Sequence, residues 1–296
     1  MTTHWDDDHI AGIAAILTTC EDASFVISQA FIEKDFLRFT RAFARPLTVK
    51  ARGGAREMMC CVMHCREADR RIQFAGPSRR LYHDTSGSKI VEVWTLSPSD
   101  EEHKNFLAWI AGQFPDAPST RRLAIARKRN DLSAVLLIRI GDDVMLLGGD
   151  TEEEGKPDTG WSAILGDPGR PTLKATFFKV SHHGSKNGDH PGIWSDLLAS
   201  KPTIGLAPWA HGGALLPTET DVQRLLTSTE DAYAASSPLS SKPRKRDRTV
   251  ERTIKEATVD FMSPRKNPGL ARFRKHPGAP WRCELFGGAV ALDDFY

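Results

Sequence analysis

The strongest constraint on the fold lies in residues 134–150, Ala-Val-Leu-Leu-Ile-Arg-Ile-Gly-Asp-Asp-Val-Met-Leu-Leu-Gly-Gly-Asp. Two short apolar runs flank a Gly141-Asp142-Asp143 turn, the pattern of a β-hairpin. The second run ends at Gly148-Gly149-Asp150. Two glycines there let other backbone approach closely, and one carboxylate stands at the strand's C-terminal end. Further on, Lys174 to Val180 predicts another strand, and it ends in Ser181-His182-His183-Gly184-Ser185. Two strand ends therefore deliver residues of metal-ligand type.

A third cluster stands at the start of the chain, where His4-x-Asp6-x-Asp8-His9 is followed by Gly12 and the apolar run Ile13 to Leu17. This predicts a ligand loop opening onto a helix. Imidazoles and carboxylates crowded this densely are costly to pack unless a cation or partner charge compensates them. Taken singly, each cluster has a plainer explanation: an acidic helix N-cap with stray histidines, a turn carboxylate, a capped or core histidine. Taken together they favour a shared cation.

The three motifs, with Asn130-x-x-Ser133 before the hairpin, resemble the metallo-β-lactamase superfamily over roughly residues 1–226. Within it the likeness is to the hydrolase domain of DNA-uptake competence proteins of the ComEC type, which carry Asp where most relatives have the second His of His-x-His-x-Asp-His. The resemblance implies an αββα sandwich of α/β class. In that superfamily several strands precede the histidine-rich loop. Only three residues precede His4, so the expectation is a sandwich lacking its first strands. A ligand loop at a chain terminus is then expected to fray.

Position by position, the resemblance implies that His4 and Asp6 face one metal and Asp8 and His9 the other, with Asp150 bridging. His182 would complete the second metal's shell, and His183 would replace or support it. The family's additional histidine has no counterpart in the corresponding stretch, Leu96-Ser97-Pro98-Ser99-Asp100. The expected cofactor is therefore one or two divalent ions, zinc or manganese, with Asp6 adding hard oxygen that shifts preference toward manganese. Such ions lower the pKa of bound water, and a pair about 3.5–4 Å apart clamps both oxygens of a phosphodiester in displacement. Asp8 is the candidate to orient the nucleophile. Ser185, Lys186 and Asn187 are candidates for substrate phosphate or carboxylate, and equally a polar turn. His211, after a short strand at Thr203–Ala207, is a candidate proton donor to a leaving group, and equally a loop histidine. His64, His83 and His103 fit surface or packing roles.

At 296 residues, 40% hydrophobic and 26% charged, the chain can bury one large core. A net charge of +2 gives no global field that would draw in nucleic acid. The five cysteines, three of them crowded as Cys60-Cys61-x-x-His64-Cys65, read as free thiols on a helix rather than a disulfide framework or zinc cluster. With no secretory signal and no membrane-spanning stretch, the expectation is a cytoplasmic protein without a membrane partner. A protein partner is not specified.

Periodicity predicts helices at Ile10–Leu17, Phe31–Ala44 (Phe31, Phe36, Phe39 and Phe43 as core contacts), Glu57–Asp69, Glu101–Phe114, Ile193–Leu198 and from Pro217-Thr218 on. Strands are expected at Phe25–Ile27 and Ile90–Leu96. Residues 227–250 read as a basic, Ser/Pro-rich, disordered linker. Residues 251–296 read as two strands forming a hairpin added to the main domain. The functional expectation is a metal-dependent hydrolase acting on a small-molecule or nucleic-acid phosphodiester. The alternatives are a hydrolase of a lactone, thioester or amide, and a non-catalytic binding module of the same fold.

Overall fold

The structure is a computed structural model that describes residues 1–4, 6–32, 54–111, 130–211, 214–237, 247–257 and 268–296. The chain divides into two compact units, Met1–His182 with Lys186–Ser200, and His183–Ser185 with Lys201–Tyr296. Both units mix helices and strands, so the class is α/β.

In the first unit the helices α1 (Asp7–Ile10) and α2 (Ile13–Thr19) replace the single helix expected at 10–17. Strand β1 (Phe25–Ser28), helix α3 (Gly54–Glu67) and strand β2 (Ile72–Ala75) follow, and β1 pairs parallel with β2. Then come β3 (Arg79–Asp84), β4 (Val91–Thr95) and α4 (Asp100–Ala111). After them stand β5 (Leu136–Ile140), β6 (Asp143–Leu147), α5 (Gly160–Gly166) and β7 (Ala175–Lys179). A core forms where α2, α3 and α4 turn apolar faces onto β1, with Ile10, Phe25, Phe31, Met58, Cys61 and Phe106 fully enclosed or nearly so. Phe31 and Phe106 meet edge to face at 6.4 Å. Each such large side chain contributes about 1.5–3 kcal/mol by leaving water. Phe31 sits in a 3-10 turn at Gln29–Ile32, while Phe36, Phe39 and Phe43 lie outside the described residues.

The hairpin expected at 134–150 is β5 and β6, antiparallel with Leu136 opposite Leu147 and Ile140 opposite Asp143. β6 in turn pairs parallel with β7, Met145 opposite Phe177 and Leu147 opposite Lys179. Parallel pairing makes both strands exit at the same end of the ladder. Gly148-Gly149-Asp150 and Ser181-His182 therefore leave side by side. The backbone bonds Gly148 N to Lys179 O (3.0 Å) and His182 N to Gly149 O (3.1 Å) continue the zip past the strands. The loop after β7 is anchored from below by Trp161, whose Nε1 donates to Gly188 O at 3.0 Å and whose ring meets Phe178 edge to face.

The amino end is tied down, contrary to the fraying expected of it. Thr2 N donates to Val26 O at 3.0 Å, and Thr2 and His4 are wholly buried. A backbone bond to a core strand, with the adjacent side chains out of water, supplies the anchorage that a bare terminus lacks.

In the second unit β8 (Leu198–Leu206) runs parallel to β11 (Ala232–Ala234), which pairs antiparallel with β14 (Val290–Ala291). β9 (Trp209–His211) and β10 (Ala214–Leu216) form a small antiparallel pair. Helix α6 (Glu219–Leu226) opens with a reciprocal cap, Thr218 Oγ1 accepting from Asp221 N while Asp221 Oδ2 accepts from Thr218 N. Strand β11 corrects part of the expected linker. Ala232 and Ala234 are buried between β8 and β14, and helix α7 (Arg248–Ala257) begins before residue 250. Three residues, Ala-Tyr-Ala, suffice for a strand between two others, and the Ser/Pro-rich composition around them conceals it. Residues 238–246 lie outside the described ones. The C-terminal strands β12 (Gly269–Arg274) and β13 (Arg282–Gly287) pair antiparallel. Among the described residues no helix is long and apolar enough to cross a membrane.

Candidate metal centre

Helix α1 and the segment after β6 bring Asp8, His9 and Asp150 together, with ligand atoms all within 4.8 Å of one another. Asp150 is buried, 5% exposed, and its two carboxylate oxygens face different rings. Oδ1 lies 3.2 Å from His9 Nε2 and Oδ2 lies 4.0 Å from His4 Nε2. On the outer side, Asp8 Oδ2 is 3.6 Å from His9 Nε2 and Asp6 Oδ2 is 3.8 Å from His4 Nε2. Four of the sequence candidates thus surround the fifth, Asp150.

One hydroxyl orients both rings. Thr3 Oγ1 lies 3.1 Å from His4 Nδ1 and 3.1 Å from His9 Nδ1, and the rings stand 4.2 Å apart at 43°. A threonine oxygen has two lone pairs. When it accepts Nδ1–H from both rings, each neutral imidazole keeps its lone pair at Nε2, the atom turned toward Asp150. A histidine that ligates a metal through one nitrogen ordinarily has its other nitrogen fixed in this way.

Asp150 is held equally firmly. Its backbone N–H donates to Ser133 Oγ at 2.8 Å, and Ser133 O accepts from Ser97 Oγ at 2.7 Å. Ser97 Oγ also accepts from Val135 N at 2.8 Å. Ser97 thus braces Asp150 through Ser133. Gly149 makes the approach possible: its φ is +55°, and a Cβ there would lie 2.6 Å from Ser133 Oγ.

The charges are unbalanced. Three carboxylates, Asp6, Asp8 and Asp150, converge with two imidazoles, and a nearby cation is Lys179 at the end of β7. Desolvation lowers the pKa of the Lys179 ammonium, while Asp150 and Asp8 act to raise it. Among the described residues His4 Nε2 is buried with no hydrogen-bond partner. Its separations from Asp6 and Asp150 exceed hydrogen-bond range. Two bonds of about 2.0–2.2 Å at tetrahedral angles place ligand atoms roughly 3.3–3.6 Å apart, so these donors stand a few tenths of an ångström wider than a shared ion would hold them. A donor set of carboxylate oxygens and imidazole nitrogens suits zinc or manganese.

The remaining candidates lie as follows. His182 does not belong to the group of converging ligand atoms among the described residues. Its Nδ1 is 2.9 Å from Asn187 Oδ1 and 3.4 Å from Glu152 Oε1, and its backbone is left-handed at φ 43°. Asn187 is thereby engaged with His182, while Lys186 lies exposed in the 3-10 turn Lys186–Gly188. In the second unit, His183 Nδ1 donates to Ala207 O at 2.9 Å and its ring stacks on Trp209. A carbonyl only accepts, so the neutral His183 ring carries its lone pair at Nε2. Ser185 is half-buried in that unit. His211 ends β9, and its side chain lies outside the described ones.

Thr3, Lys179 and Glu152 escaped the sequence reading as site residues. Thr3 leaves no signal beyond adjacency to His4. Lys179 and Glu152 stand one strand-end away from quoted motifs, and only the parallel pairing of β6 and β7 brings them close. No protein-family model, curated protein or solved structure matches the chain.

Proposed function

We propose that this chain is a metal-dependent hydrolase in which Asp8, His9 and Asp150, with His4 and Asp6, hold one or two divalent ions, zinc or manganese. The observation that carries the reading is the buried, unpartnered Nε2 of His4 beside a carboxylate that already faces His9. Removing that much imidazole and carboxylate from water without a cation is strongly unfavourable. A bound divalent ion supplies water of lowered pKa and positive charge for the oxygens of the reacting group.

The chain's own residues supply the rest. Asp150 joins the two histidines, and Thr3 and Ser133 hold all three in place. Asp8, whose side chain is 43% exposed, is the most open of the three carboxylates and the candidate to accept a proton from attacking water. His211 stands as the proton donor to the leaving group by its sequence position. His182 and His183 stand as further ligands by their place after β7. Ser185, Lys186 and Asn187 stand as substrate contacts on the same ground.

A phosphodiester is the proposed substrate, on the strength of the family resemblance. A lactone, thioester or amide is the second class, because the same activated water would attack a carbonyl carbon. A non-catalytic module is the third reading, favoured by Lys179, which places an ammonium near Asp150 and Asp8 without any metal. Elemental analysis of the purified chain separates these. One to two equivalents of zinc or manganese supports the metal centre, and a content near zero overturns it in favour of the module. Turnover of bis(p-nitrophenyl) phosphate against a chromogenic lactam or lactone then assigns the substrate class.

A further inference from the structure

The strands β12 and β13 form a two-stranded ribbon, separate from the sheet that holds β8, β11 and β14. Its base is clamped, because a Cβ at Gly269 would collide with Ala289 N and Ala235 O. Its inner face is covered, since Phe273 meets Tyr233 of β11 edge to face at 5.8 Å. Side chains alternate across a strand. The register therefore assigns Leu270, Arg272 and Arg274, with Phe286, Glu284 and Arg282 opposite them, to the outer face. The tip is open: an added Cβ at Gly278 meets nothing within 4 Å among the described residues.

The second observation is charge. Residues 268–287 carry Arg272, Arg274, Lys275 and Arg282 against one carboxylate, Glu284. Glu284 Oε2 accepts from Arg272 Nε at 2.7 Å, while Arg274 Nε stands 3.9 Å from the same oxygen, beyond hydrogen-bond range. Arg274, its side chain 64% exposed, lies directly opposite the exposed Arg282. Like charges in direct cross-strand register are destabilising, and a two-stranded ribbon has little stability to spare. An anion laid across the pair removes that repulsion. The whole chain carries only +2, so the excess is local to the ribbon.

The apolar and aromatic groups decide between anions. The Arg272 guanidinium lies over the Phe286 ring at 5.0 Å, and the Lys275 ammonium over the Trp281 ring at 5.6 Å. The ribbon's own cations thus occupy ring surface on which the base of a single strand would stack. The exposed Leu270, Leu285 and Phe286 stand at the base of the ribbon rather than at its tip, the reverse of what entry into a bilayer needs. What remains is a narrow ribbon with cations on both strands. Its strands lie about 4.8 Å apart. The major groove of a duplex, about 12 Å wide, admits a two-stranded ribbon.

We infer that the outer face of β12–β13 docks in a groove of duplex nucleic acid, with Arg274 and Arg282, one from each strand, contacting the phosphates that line it. Phosphates carry no base identity, so this docking is indifferent to sequence. The inference goes beyond the hydrolase reading and does not rest on it.

The test uses the full chain in the presence of chelator, which keeps the outcome independent of the metal centre. Fluorescence anisotropy follows the binding of a short labelled DNA duplex, and of its separated single strand, between about 50 and 200 mM salt. The expected result is duplex binding about fivefold or more tighter than strand binding, weakening as salt rises. In the double substitution Arg274→Gln/Arg282→Gln, duplex affinity at the lower salt is expected to fall about tenfold or more. The slope of log affinity against log salt is expected to flatten by about 2, one unit for each lost phosphate contact. Removing two opposed like charges is expected to leave the melting temperature unchanged or raised. If the double variant does not fold, Arg282→Gln alone decides the matter, with a slope change of about 1. Duplex binding that is absent at low salt, or untouched by the substitutions, overturns the inference. Equal or tighter binding of the single strand overturns it as well. So does equally effective competition by polyglutamate, which would make the partner an acidic protein. Elemental analysis of the chain without chelator reports on the metal centre separately.

Discussion

Asp150 Oδ1 lies 3.2 Å from His9 Nε2, although the two residues stand 141 positions apart in the chain (150 less 9). The other oxygen of the same carboxylate faces His4, which makes Asp150 the junction of the site. Ser133 Oγ accepting from the Asp150 backbone N–H, and Thr3 Oγ1 bonded to Nδ1 of both rings, fix this junction before any ligand arrives. Preorganisation of this kind lets a small site bind strongly or react.

Asp150→Ala removes the carboxylate that faces Nε2 of both histidines. Metal content is expected to fall to near zero, and any hydrolytic turnover to fall roughly 100-fold or more. Elemental analysis and initial rates check both. Unaltered rates would exclude the bridging role.

Thr3→Val keeps the volume of the side chain and removes the hydroxyl that positions His4 and His9. The expected outcome is a metal affinity about 10–100-fold weaker with the melting temperature little changed. A competition titration with a chelating dye reads the affinity. Identical affinities would show that the rings are oriented by packing alone.

Gly149→Ala introduces a Cβ 2.6 Å from Ser133 Oγ at a residue of φ +55°. Both the clash and the left-handed backbone act against it, and a destabilisation of about 1–3 kcal/mol is expected. Chemical denaturation measures it. Because Ser133 must move, metal affinity is expected to fall with stability.

Burial pushes the Cys61 thiol up to about 12 from an ordinary 9.0. Between those values the unfolded thiol ionises while the folded one stays protonated. Cys61 therefore subtracts from stability as pH climbs from 9 toward 12, and has no effect below that window. In Cys61→Ala, stability against pH is expected to fall less steeply over that window. In the native protein at pH 8, a thiol reagent is expected to modify exposed Cys20 and Cys60 and to spare Cys61.

The local elements were largely readable from the residues in order. The run from Ala134 to Asp150 encodes its hairpin because alternating apolar side chains and a Gly-Asp-Asp turn act over a few positions. Helix α6 is similarly announced by Thr218 and Asp221, whose mutual cap needs only four residues. The candidate ligands His4, Asp6, Asp8, His9 and Asp150 were recognisable from residue type and spacing. Strand β11 was hidden because its order comes from two flanking strands, not from its own Ala-Tyr-Ala.

What the primary order determined is therefore the short-range part: which segments are strands or helices, and which side chains could bind a cation. Tertiary structure alone decided that His182 turns to Glu152 and Asn187 and that Thr3 serves two imidazoles. The physical reason is that backbone propensity and turn chemistry act between near neighbours. Convergence of the amino end, the β6 end and the β7 end depends on parallel strand pairing and core packing between residues far apart in the chain.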